Sequence, residues 1–190
     1  GATGFIGGTL IKRLAAAGRQ VQALIRPVSI HKQQTDGAVK WIRGDLSDVE
    51  SLEQLVHGAD VIVHCAGAVR GATQAHFNRI NVDGVARLVQ VAIKQQQPPR
   101  FLLMSSLAAR EPMLSAYASS KQQGERVLME ASARINWAVF RPPAVYGPGE
   151  REMMPVLRWM ARGVAPLPGS GNGRFAMLHA EDLAEAVIKW

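Results

Sequence analysis

The sequence predicts an α/β domain built on a doubly wound parallel sheet, followed by the start of a small C-terminal lobe. Two observations carry this. A glycine-rich stretch, Gly1-Ala2-Thr3-Gly4-Phe5-Ile6-Gly7, runs directly into a helix-period segment. After it, strand-length apolar runs alternate with helix-length gaps, the pattern of a parallel sheet covered on both faces. Ligands of such sheets sit outside the carboxyl ends of the strands, so the loops after Arg26, Gly44, Cys65 and Met104 mark the edge where a site is expected.

Apolar residues at 6, 10, 11 and 14 give the first helix one buried face, and Gly18 ends it. A glycine-rich turn at a helix N-terminus suits a pyrophosphate, because glycines let the backbone approach and free amides favour the anion. Gly1, Thr3, Gly4, Phe5, Ile6 and Gly7 are therefore candidate cofactor-binding residues. The strand expected before this turn is absent, since the sequence begins at Gly1. The chain reads as a fragment, expected to fold poorly alone because the neighbours of a central strand would lie unpaired.

Residues 20–27 read as a short buried strand closed by Pro27. An acidic residue at its end would bind the ribose 2′-hydroxyl of NAD, whereas the forked donors of an arginine suit the 2′-phosphate of NADP. The position holds Arg26, with no Asp or Glu before Asp36. NADP is the expected cofactor and NAD the alternative. Further strands are expected at 39–46, 59–67, 101–106 and 137–141, with helices over 48–58 and, as one long element, 77–95. His64 reads as a packed strand-end residue. No second ligand stands at metal spacing, so no metal is expected.

The 190 residues allow one substantial domain and part of a second, divided here at 1–147 and 148–190. Hydrophobic content of 47% with 19% charged residues argues against disorder. No apolar run approaches the roughly 20 residues that span a bilayer. The single cysteine, Cys65, excludes an internal disulfide and fits a reducing, cytoplasmic compartment. A net charge of +7 admits nucleic acid, an anionic surface or an anionic ligand. The basic residues are scattered, without a basic run or a base-stacking aromatic signature, so neither nucleic acid nor membrane is expected as a partner. A small-molecule substrate is expected, and a homodimer is left open.

The chemistry is expected after the strand that ends in Ser105-Ser106. Tyr117 and Lys121 stand at i, i+4, so one helical face carries both. An ammonium beside a phenol favours the phenolate and lowers the tyrosine from about 10. That is the requirement for a general acid/base near neutral pH.

With these residues in view, the chain resembles the extended short-chain dehydrogenase/reductase family, the Rossmann-type NAD-dependent epimerases, dehydratases and ketone reductases. The matching motifs are Gly1-x-x-Gly4-x-x-Gly7, Asp45-Leu46, His64-Cys65-Ala66-Gly67, Asn81, Ser105-Ser106 and Tyr117-x-x-x-Lys121. They continue in the segment from Arg141-Pro142 to Gly149 and in His179-x-x-Asp182. The resemblance implies that Tyr117 exchanges a proton with the substrate oxygen and that Ser106, rather than Ser105, hydrogen-bonds that oxygen. It implies that Lys121 also holds the nicotinamide ribose, that Asp45 and Leu46 flank the adenine, and that Ala66, Gly67, Pro142 and Val145 line the nicotinamide side. Asn81 is either a site residue or the N-cap of a helix starting at Val82.

Departures from the family pattern narrow the reading. Leu107 and Ala108 stand where dehydratases carry acids, which disfavours dehydration, and Ala144 replaces an asparagine common in sugar epimerases. The implied activity is hydride transfer between nicotinamide and a carbonyl or secondary alcohol. A nucleotide-sugar epimerase and a non-catalytic NADP-binding protein are the alternatives. From Gly147 onward Gly, Pro and Met become frequent, with a short helix expected over 154–162 and another from Glu181. That change reads as the start of a substrate lobe.

Overall fold

The computed structural model describes residues 1–33, 37–165 and 173–190; Asp36 and the Pro/Gly stretch at 166–171 lie outside them. Helix α1 (Phe5–Ala16) begins earlier than its apolar rhythm suggested, so Gly7 sits in its first turn rather than in the loop. Strand β1 (Val21–Ile25) pairs in parallel with β2 (Val39–Arg43), Ile25 opposite Arg43. Helix α2 (Val49–Val56) is capped by Asp48, whose side chain accepts from the Ser51 amide at 3.3 Å. Strands β3 (Val61–His64), β4 (Arg100–Met104) and β5 (Trp137–Phe140) form a second parallel ladder with β4 central. Among the described residues β1 and β3 share no ladder, so the parallel strands stand as separate sheets rather than one.

The long helix expected over 77–95 is two helices, α3 (Gln74–Asn81) and α4 (Asp83–Ala92), broken at Val82 with φ −114° and ψ −63°. The break lies where another helix crosses. Helix α5 (Ala116–Glu130) crosses there so closely that a Cβ on Gly124 would fall 2.3 Å from the Asn81 carbonyl oxygen. A side chain at position 124 would therefore strike that carbonyl, and glycine there permits the close crossing. Thr73 caps α3, its side chain accepting from the His76 amide at 3.2 Å.

The tail holds two strands the hydrophobic pattern did not announce, β6 (Ala144–Tyr146) and β7 (Met177–His179), paired in parallel. At three residues each they are too short to show a period. Between them lies α6 (Met154–Met160), and after them α7 (Ala180–Lys189).

Strand β4 shows how the layers form. Phe101 and Leu103 join Leu52, Val56, Val85, Leu88 and Leu128 in a core under α2, α4 and α5. Leu102 and Met104 face the other way, packing with Leu10 of α1 and Leu183, Ala184 and Val187 of α7. Alternate side chains feed opposite cores, so a strand in this position must be apolar at every residue. An ion pair between Arg13 and Glu181, at 3.4 Å, joins α1 to α7 across the surface.

Candidate active site

The glycine turn lies against the end of β3. A Cβ on Gly1 would meet the Cys65 carbonyl carbon at 2.3 Å, and one on Gly7 would meet the Gly1 carbonyl oxygen at 2.1 Å. Side chains are excluded at both positions, which leaves the backbone amides bare. Gly4, the N-cap, provides no side-chain cap, and the first turn of α1 carries no acid. An uncapped, acid-free helix start is electropositive and fits a diphosphate. Arg26 ends β1 in extended backbone and is near enough to Asp45 to help hold its carboxyl below the usual range, after the larger effect of Ser47. Asp45 accepts from the Ser47 amide at 2.7 Å and from its hydroxyl at 2.5 Å.

The polar cluster lies further along the same edge. Ser115 caps α5, accepting from the Ala118 amide at 3.1 Å, and so starts the helix at Ala116, one residue before Tyr117. Phe77 of α3 meets the Tyr117 ring edge-on at 6.1 Å between centroids. Lys121 is 8% exposed, and its Nζ donates to the Met104 carbonyl oxygen at 2.7 Å. Burial pulls the Lys121 amine down to about 8 against the opposing pull of Cys65 and Glu125. Burial likewise pushes Tyr117 upward, and the hydrogen bond from Ser106 opposes that shift. Ser106 is the group that favours the phenolate here, and Lys121 Nζ is turned to the end of β4. Ser106 accepts from the Ala108 amide at 3.2 Å, which leaves its hydroxyl proton for Tyr117.

Asn81 is not a helix cap. The N-cap of α4 is Val82, without a side-chain bond, and the Asn81 amide reaches across to α5 instead. Its Oδ1 accepts from the Ala68 amide at 2.8 Å, and its Nδ2 donates to the Ala68 carbonyl and to Ser120 Oγ at 3.0 and 2.9 Å. Gly67 lies beside this bridge, where a Cβ would be 3.6 Å from Lys121 Nζ. The chain from Gly1 through Cys65 and Gly67 to Lys121 is thus physically continuous. Leu46 packs against Gly84, Ile6 and Val145 lie against the α1–α7 core, and the Pro142 carbonyl accepts from the Leu107 amide at 2.9 Å. Thr3 and Ala66 are partly buried on the same edge, and Phe5 lies near Gly149.

The sequence reading gave Glu125 no role and took Arg141 only as the start of a family motif. Glu125 is 2% exposed and binds both Ser105 and Arg141. Its i+4 spacing from Lys121 was the available signal.

A family model described as the NAD dependent epimerase/dehydratase family matches residues 1–190. The chain belongs to that family. It is similar to a ceramide reductase of Caulobacter vibrioides, 39% identical over 188 residues, covering 99% of this chain and 58% of the relative. It is also similar to a 2-alkyl-3-oxoalkanoate reductase of Stenotrophomonas maltophilia, 29% identical over 207 residues, covering 98% of this chain and 62% of the relative. The chain therefore spans about three fifths of these relatives. Among solved structures, the Bordetella bronchiseptica enzyme WbmH in complex with NAD+ superposes with a TM-score of 0.83 at 20% identity, covering 100% of this chain and 69% of that one. The fold is the Rossmann type of NAD-binding members of the epimerase/dehydratase family. Among the described residues no helix is long and apolar enough to cross a membrane, and no cluster of three metal-ligating side chains occurs.

Proposed function

We propose that the protein carrying this chain is an NADP-preferring oxidoreductase that reduces a ketone on an apolar, chain-bearing small molecule. The observation that carries the reading is the gathering of Ser106, Tyr117 and Lys121 on the strand edge that also holds the glycine turn. Gly1, Thr3, Gly4, Phe5, Ile6 and Gly7 would hold the diphosphate of a nicotinamide dinucleotide, with Asp45, Leu46 and Arg26 at its adenosine end. Ala66, Gly67, Pro142, Val145 and Lys121 would lie on its nicotinamide side. When bound, the nicotinamide supplies the hydride.

The protein's own work is proton handling. Burial favours the protonated form of Tyr117, the form a carbonyl reduction needs, and Ser106 would steady the oxygen that receives the proton. Arg26 favours the 2′-phosphate because a guanidinium forks onto phosphate oxygens. The substrate class is drawn from the names of the two curated relatives and from exposed apolar side chains near the site in sequence. Met113 and Leu114, 94% and 80% exposed, stand in the turn between Ser106 and Tyr117 and offer apolar contact there.

The test titrates NADPH and NADH separately against the whole protein and its Arg26→Asp variant, then assays 3-oxoacyl compounds with wild type and Tyr117→Phe. Tighter NADPH binding that is lost in Arg26→Asp is the expected result. Tyr117→Phe should cost about 10²–10⁴-fold in turnover with cofactor binding kept. A cofactor that copurifies and does not exchange, with turnover of sugar nucleotides and no net redox, would identify an epimerase instead.

A further inference from the structure

A buried carboxylate stands one turn beyond Lys121 on α5, and the chemistry above does not use it. Glu125 Oε1 accepts from the Ser105 hydroxyl and from Arg141 Nε, the latter at 2.9 Å, while Oε2 accepts from Arg141 Nη2. The arginine fork is thus bidentate, the geometry that fixes a carboxylate in one plane. Its partners come from three elements. Ser105 follows β4, Arg141 follows β5, and Glu125 lies on the helix that carries Tyr117 and Lys121.

The spacing gives the contact its consequence. Successive turns of α5 grip successive residues of one strand end, Lys121 on Met104 and Glu125 on Ser105. The next residue is Ser106, the hydroxyl that faces Tyr117. Arg141 closes the ring, because the adjoining Pro142 carbonyl accepts from Leu107 at 2.9 Å. A shift of Glu125 therefore moves Ser106 relative to Tyr117.

We propose that Glu125, clamped by Arg141, is a positioning residue: it locks the end of β4 onto α5 so that Ser106, Tyr117 and Lys121 share one geometry. This rests on the oxidoreductase reading only for its effect on turnover. Lys121 faces Cys65 and His64 from the end of β3 and Glu125 from its own helix. Glu125 is the carboxylate of that set, and its charge favours the ammonium.

The test is Glu125→Gln in the whole protein, with Arg141→Lys as the second variant. Lys121 is titrated by pH-dependent amine labelling with no cofactor present, and kcat and cofactor Kd are measured separately. In Glu125→Gln the Lys121 amine should become reactive at lower pH, and kcat should fall by roughly 10²-fold, the scale of a misplaced reacting group. Cofactor Kd should be unchanged. Arg141→Lys keeps the charge but loses the fork, so it should lower kcat less and leave the labelling profile closer to wild type. Wild-type kcat in whichever variants fold, or an unmoved labelling profile in Glu125→Gln, overturns the proposal. Should Glu125→Gln not fold, an undiminished kcat in Arg141→Lys does so by itself. If wild type reduces no carbonyl while Lys121 still shifts in Glu125→Gln, the oxidoreductase reading fails and the Glu125 contact stands.

Discussion

Lys121 Nζ donates to the carbonyl oxygen of Met104 at 2.7 Å, and this bond ties the helix bearing Tyr117 to the end of the central strand β4. The ammonium is held by a backbone dipole in a nearly dry site, so its charge is costly, and the amine is pulled down from 10.5 to about 8.

This sets a sign for stability against pH. Between about 8 and 10.5 the unfolded chain holds the Lys121 proton while the folded chain has released it. The contribution of Lys121 to stability therefore rises with pH across that window. Denaturant melts on either side of it should show a steeper rise for wild type than for Lys121→Met. Equal slopes would mean that the amine titrates normally. Turnover should move the opposite way, declining above about pH 8 as Lys121 loses the charge with which we propose it holds the ribose.

The adjacent glycines 7 and 8 in the first turns of α1 should respond differently to one methyl group. Gly7→Ala places a Cβ 2.1 Å from the Gly1 carbonyl oxygen, so overpacking of about 1–3 kcal/mol and weaker cofactor binding are expected. Gly8→Ala meets its nearest atom at an ordinary 3.8 Å inside α1, where alanine should add roughly 0.5–1 kcal/mol of stability. Chemical denaturation of both variants tests the pair, and a neutral Gly7→Ala would refute the close approach.

Asn81→Ala removes bonds to both backbone groups of Ala68 and to Ser120. Each buried partner left unpaired costs about 1–3 kcal/mol, so a large loss of stability is expected by calorimetry. A helix-cap role would cost only about 1 kcal/mol.

Acid should act through His64, which is 3% exposed, stacked on Phe101 at 6.2 Å and held neutral to about pH 3 by burial. Below pH 6.5 the unfolded chain binds a proton that the folded chain refuses, so stability falls as pH drops toward 3. His64→Leu should flatten that fall in a urea series, and an unchanged slope would place the acid sensitivity elsewhere.

How far the chain could be read follows from what each feature depends on. The apolar rhythm of Val49, Leu52, Leu55 and Val56 marked α2, and the runs around Ile62, Leu102 and Val139 marked strands to within a few residues. The family assignment was legible in the motifs, and a family model matches residues 1–190. The break at Val82 was not legible: it lies beside the close crossing of α5 at Gly124, more than forty positions away. Nor was the short β6–β7 pair, which has too few residues to carry a period.

The sequence by itself determined which faces are buried and which residue types stand at the strand ends, since both follow from local spacing of apolar and polar groups. Only the tertiary structure decided which partner each polar group takes: Lys121 with Met104, Asn81 with Ala68 and Ser120, Glu125 with Ser105 and Arg141. A buried polar group must find a partner, and which one lies within reach depends on how distant strands end against a helix.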